Sequence, residues 1–86
     1  MNNRFAHEQS EALAKRVEKI ADQAGQIAAA WRMTFARNPS ATEAKAAADH
    51  LAKQRASFGD RKDAAHLALA SLCHVLLNAN EFLYVD

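Results

Sequence analysis

One cysteine and four histidines carry most of the chemistry that this 86-residue chain offers. Cys73 and His66 are seven residues apart, so on a helix they lie about 20° from one another and could reach the same soft metal ion. Two ligands do not make a structural zinc site, which takes four, and His7, His50 and His74 fall on other segments or another face. A thiol packed in a core beside a hydrogen-bonded histidine is the simpler reading. Cys73 and His74 are neighbours whose side chains diverge by about 100° on a helix, a poor arrangement for a nucleophile and its base. His7 and Glu11 have the four-residue spacing of a proton-transfer pair, yet on an amphipathic helix that spacing usually belongs to a solvated surface pair. The expectation is therefore a chain without catalytic residues, cofactor or bound metal. The alternative is a small metal or redox site around Cys73, His66 and His74.

Charge excludes further classes. Eleven Lys and Arg stand against ten Asp and Glu, a net charge of +1. Lys15, Arg16 and Lys19 form a small basic patch that Glu11, Glu18 and Asp22 offset, with no stacking aromatics among them, so nucleic acid is not an expected partner. Residues 1–19 interleave Arg4, His7, Glu8, Glu11, Lys15, Arg16, Glu18 and Lys19, which rules out a secretory signal peptide in this stretch. The longest nearly uncharged run, residues 64–77, is shorter than the about 20 residues needed to cross a bilayer and reads as a buried helix. A lone cysteine excludes an intramolecular disulfide.

The elements that would position these residues are helical. Two glycines, one proline and 21 alanines leave few turns, and nothing before the last five residues alternates as a strand does. Counting 100° per residue, Ala6, Leu13, Val17, Ile20 and Ala24 fall in one stripe about 60° wide. A first helix over residues 4–24 follows, with Gly25 as its left-handed stop. Ile27, Ala28, Trp31 and Phe35 make the core face of a second helix, with Ala29, Met33 and Ala36 as a smaller strip opposite. That helix ends near Asn38, because Pro39 disfavours helical geometry in the residue before it. Ser40, Ala41, Thr42 and Glu43 have the spacing of a capping box, opening a third helix over residues 41–56. Its face is Ala44, Ala47, Ala48 and Leu51, suited to close backbone approach rather than large buried area. Phe58 anchors the next loop, Gly59 bends it, and Asp60 or Asp63 caps a fourth helix over residues 61–78. There Ala65, Leu69, Leu72, Cys73, Val75 and Leu76 form a broad apolar arc, with Leu67, Ser71, His74 and Asn78 on the far side. The expected fold is an all-α bundle of four helices, the second and fourth in the middle, with a short extended C-terminal tail over residues 79–86. Leu67 and Leu77, with Phe82, Leu83, Tyr84 and Val85 of the tail, are the expected interaction surface. Asn78, Asn80 and Glu81 are the expected helix cap that sets the tail's path.

Three stretches resemble a known family. They are Asn2, Asn3 and Phe5 with Glu8, Gln9, Ala12 and Leu13; then Ala36-Arg37-Asn38-Pro39-Ser40 with Glu43; and, most specifically, Ser71-Leu72-Cys73-His74-Val75-Leu76-Leu77-Asn78-Ala79-Asn80-Glu81-Phe82-Leu83-Tyr84-Val85-Asp86. Together they look like the C-terminal part of the planctomycete PSD-type domain, a domain of unknown function numbered fifteen-fifty-three. The similarity covers essentially all 86 residues and corresponds to the last third or so of that domain, which puts Met1 in mid-domain. The resemblance implies a segment of a large exported protein that often carries a cytochrome-c-like domain. Its partner would then be the remainder of the parent domain, or a second copy. That family has no established biochemical function, so no catalytic residue carries over. The chain departs from the pattern in having Ala36 where the family has glycine before the arginine. It also lacks a Cys-x-x-Cys-His run, so haem attachment is not implied for this segment.

Overall fold

The computed structural model describes residues 3–83, with side chains described for residues 7–79. Four helices follow one another: α1 (Asn3–Val17), α2 (Gln23–Phe35), α3 (Ala41–Phe58) and α4 (Ala64–Leu83). Among the described residues there is no strand, and the expected all-α bundle of four helices is what forms. Helix α4 lies between α1 and α3 and packs closely along both, while α2 makes a smaller contact with each of the other three. The middle of the bundle is thus α4 alone, not α2 and α4 together. A helix with three packed neighbours must be apolar over most of its circumference, which is why no Lys or Arg occurs after Lys62.

The first helix is shorter than its apolar stripe suggests. It stops at Val17, and the chain turns through residues 18–22 before Asp22 caps α2. The Asp22 carboxylate accepts the Gly25 backbone N–H at 2.9 Å, and the Gln26 side chain donates to the Ile20 carbonyl at 2.9 Å. Gly25 is therefore in the first turn of α2 and does not end α1. A Cβ at Gly25 would stand 2.9 Å from both Asp22 Oδ1 and Ile20 Cγ2, so glycine makes room for the cap rather than for an unusual dihedral angle. Folding α2 back also keeps Ile20 against the core, which is why Ile20 still fits the stripe read for a continuous helix.

Helix α2 ends earlier than Pro39 requires. Ala36 closes it in the left-handed conformation (φ 59°, ψ 29°), its N–H bonded to the Arg32 carbonyl. Glycine adopts that conformation without the Cβ clash an alanine suffers. The capping box at the start of α3 forms as expected: Ser40 Oγ accepts from Glu43 N at 3.1 Å and Glu43 Oε1 accepts from Ser40 N at 2.8 Å. At the far end Gly59, at φ 62°, terminates α3. Phe58 is the last helical residue, partly buried, rather than a loop anchor.

Helix α4 starts three residues later than expected and runs five residues further, to Leu83. After Gly59 the chain has no glycine or proline to break it. Residues 79–83 therefore continue the helix instead of leaving it. Asn78, Asn80 and Glu81 lie within α4, Asn80 and Glu81 in its last turn. The side chains of Asn80, Glu81, Phe82 and Leu83, and all of Tyr84, Val85 and Asp86, lie outside the described residues.

Among the described residues one cluster forms the core: Leu13, Ala14 and Val17 from α1; Ile27, Ala29, Ala30 and Trp31 from α2; Ala47 and Leu51 from α3; and Ala68, Leu69, Ala70, Leu72, Cys73 and Leu76 from α4. Val17 and Cys73 are its largest fully buried side chains. Trp31 stacks at a tilt of 49° on Phe35, ring centres 6.0 Å apart. Two expected core residues of α4 face out, Val75 at 49% exposed and Ala65 also exposed, while Ala68 and Ala70 are buried. Small residues there let neighbouring helices approach closely, where a branched side chain would hold them apart.

Replacing Ala36 with glycine should stabilise the fold, because the left-handed cap costs an L-residue roughly 1–2 kcal/mol and glycine gives back part of that gain as unfolded-state entropy. The net gain expected is about 1 kcal/mol, or a rise of about 4–8 °C in Tm for a chain of this size. Thermal unfolding followed by circular dichroism measures it, and no rise would show that the cap is unstrained.

Candidate functional site

The titratable side chains singled out by sequence are distributed over three places. His66, on the first turns of α4, is held between two carboxylates. Its Nδ1 lies 2.9 Å from Glu18 Oε2 and its Nε2 lies 2.8 Å from Glu11 Oε2, both within hydrogen-bond distance. Glu11 lies on α1 and Glu18 in the turn that leads to α2, so this one ring ties three parts of the chain together. Charge-assisted hydrogen bonds of this length favour the protonated ring. The His66 pKa is raised above its ordinary 6.5, first by the bond to Glu18 and then by the bond to Glu11, against a smaller opposing effect of burial.

Cys73 is wholly buried in the core cluster. Burial pushes its thiol up to about 12, with the negative charge of Glu11 adding to the effect. The thiolate is the nucleophilic and metal-binding form, and this environment disfavours it strongly. His66 is turned to its two carboxylates, so the seven-residue spacing does not bring thiol and imidazole to a shared ligand. Among the described residues no group of three or more His, Cys, Asp or Glu side chains is placed to hold a metal ion.

His74 and His7 line a groove between α1 and α4, with Ser10, Glu11, Leu67, Ala70 and Ser71 completing its walls. Its volume is about 230 Å³. Ser10 at its edge is buried and donates to the His7 carbonyl at 2.9 Å. Ser71 Oγ and His50 Nε2 are 3.0 Å apart, which links α3 to α4. The pairing of His7 with Glu11 suggested by spacing is replaced by the bond from Glu11 to His66. Leu67 is half-buried at this groove, while Leu77 packs against the core and lines a second groove of about 180 Å³ with Leu13, Arg16, Met33 and Thr34. Lys15, Arg16 and Lys19 are exposed.

A third polar cluster joins α2 to α3. Arg37 reaches Glu43 through both terminal nitrogens, at 2.7 and 2.8 Å, and its guanidinium lies 5.8 Å from the centre of the Phe35 ring. Asn38 is held on both sides: Arg32 donates to its side chain at 3.1 Å and Arg37 to its carbonyl at 3.1 Å. Glu43 thus serves Arg37 and the Ser40 cap together. Its carboxyl is held down at about 2, first by the Arg37 hydrogen bonds and then by the Ser40 amide. The capping box was legible from spacing; Arg37 as its third member was not, although an arginine just ahead of the Asn-Pro-Ser turn was there to be read. The partners of His66 left no local signal, being 48 and 55 residues away in the chain.

No family model, curated protein or solved structure matches the chain. Among the described residues no helix is long and apolar enough to cross a membrane.

Two outcomes follow from this chemistry. Cys73 should react with a thiol reagent such as dithionitrobenzoate at least about a thousandfold more slowly in the native chain than in denaturant, since attack needs an opening that costs much of the folding free energy. Fast stoichiometric labelling under native conditions would contradict its burial. For Glu43, whose folded pKa is depressed, the stabilising effect is fully present above its ordinary 4.5 and is lost as pH falls toward about 2. A carbon-13 NMR titration should place its midpoint near the lower value, and Arg37→Ala should move it back toward 4.5.

Proposed function

We propose that this chain is a non-catalytic helical scaffold that makes contacts with other protein, and that it belongs to a larger PSD-type domain of an exported protein. The observation that carries the reading is where the reactive groups go. His66 is engaged by Glu11 and Glu18, His50 by Ser71, and Cys73 is enclosed in the core with its thiol held protonated. Each of these groups links or fills the bundle, an arrangement that serves packing and not turnover. Large apolar side chains meanwhile stay outside: Met33 is 47% and Val75 49% exposed, and Leu67 and Leu77 line grooves on either side of α1. Exposed apolar groups flanking grooves suit a protein partner. The resemblance of the closing segment, residues 71–86, supports the assignment to a parent domain. The contact surface would join Leu67 and Leu77 to Phe82, Leu83, Tyr84 and Val85, and the partner is the remainder of that domain or a second copy.

Sedimentation velocity of the chain over a range of concentrations tests the contact surface. Self-association, or a complex with a separately expressed remainder of the parent domain, is the expected result. Val75→Lys combined with Phe82→Ser should weaken it by tenfold or more, equivalent to about 1.4 kcal/mol. A chain that remains monomeric and fails to bind that remainder would overturn the reading.

A further inference from the structure

A neutral imidazole has one N–H and one lone pair. At His66 both ring nitrogens face carboxylate oxygens within hydrogen-bond distance, at 2.8 and 2.9 Å. A neutral ring could donate to only one of them and would turn its lone pair toward the negative charge of the other. Only the imidazolium satisfies both. The charged groups around the ring have the same bias: Glu11 from α1, Glu18 from the α1–α2 turn, and Asp63 just ahead of α4, which is itself paired with Arg61. From α3, His50 is directed to Ser71 and not to this cluster. The three side chains are partly shielded, with 26% of His66, 30% of Glu11 and 40% of Glu18 exposed, so protons reach the site freely while the short contacts persist.

We infer that His66 is a proton-operated clasp: charged, it fastens the start of α4 to both α1 and the turn leading into α2, and on losing its proton it releases one of the two. The core side chains of α1, namely Leu13, Ala14 and Val17, make non-directional contacts. The bond between His66 and Glu11 adds a directional one. Its release loosens α1 along α4, beside the groove that Glu11 and Leu67 share, whereas release of Glu18 frees the turn into α2. The inference does not depend on whether that groove meets a partner.

The direction of the pH effect follows from linkage. A group with a raised folded pKa contributes stability that is complete below its unfolded value, here 6.5, and that is lost as pH rises through the folded value. Each unit separating the two values corresponds to a tenfold change in the folding constant across that window.

The test is an NMR titration of the His66 ring in the intact chain, with urea unfolding at a series of pH values. The ring should titrate above 6.5, and the folding constant should fall as pH rises through its midpoint. In a Glu11→Gln, Glu18→Gln variant the midpoint should move down and this pH-dependent step should vanish. Should that variant fail to fold, each single substitution leaves one carboxylate and should lower the midpoint part of the way. A wild-type ring that titrates at or below 6.5 overturns the clasp, and so does a step that survives removal of both carboxylates.

Discussion

The structure depends on covering α4. Its 20 residues are the most apolar stretch of the chain, and no single neighbour could hide them. α1 and α3 take opposite sides and find their places chiefly by reference to α4, while α2 closes part of what remains through contacts of similar extent with all three other helices. This division of labour explains the composition of the outer helices. α3 offers mainly alanines and one leucine, a face too small to form a core alone but well shaped to lie close against a helix that supplies the bulk. α1 gives Leu13 and Val17 and keeps its charges outside. A small chain of this kind hides a limited share of its surface, and concentrating the large side chains on one helix lets three others use the same buried area.

Polar side chains do what so small a core cannot. Apolar attraction is non-directional, whereas hydrogen bonds add a fixed distance and angle. The chain has such fixings at each junction. Asp22 and Gln26 set the turn between α1 and α2. Arg37, Ser40 and Glu43 set the turn between α2 and α3. His50 with Ser71, and His66 with its two glutamates, set the long-range pairs that involve α4. Arg61 and Asp63 hold the last connection through two bonds at 2.9 and 3.1 Å. Half of these side chains are exposed, and an exposed pair contributes little to stability. Their effect is on geometry.

Much of this was legible in the residues, and what was not has a common cause. Ser40 with Glu43 announced a helix start because the interaction is complete within four residues. Gly59, Leu51, Ala47, Ile27 and Trp31 took the places that turn chemistry and helical spacing gave them. The failures came where a local rule had two solutions and the tertiary structure chose. Ile20 and Ala24 continue the stripe of α1, yet the chain bends at residues 18–22 because Asp22 can cap a new helix and Gly25 leaves room for it. Val75 fits the apolar arc of α4 and yet stays exposed, whereas Ala68, two turns earlier on nearly the same stripe, is buried. Residues 79–83 were apolar enough to suggest a separate tail, while the absence of any breaker let the helix continue. The meeting of His66 with Glu11 and Glu18 lay beyond any local rule, since spacing describes neighbours and these are not neighbours.

The placement of Trp31 has a practical consequence. It is the chain's single tryptophan, 6% exposed, on the one helix that touches all three others without packing extensively against any of them. The indole is therefore a built-in optical probe of the most lightly held part of the bundle. Its emission colour reports whether α2 is seated, with no label attached and no second chromophore of its kind to confuse the signal. Loosening that begins at α2 and spreads inward would be visible there before the α4 core gives way, so the chain carries its own means of distinguishing partial opening from global unfolding.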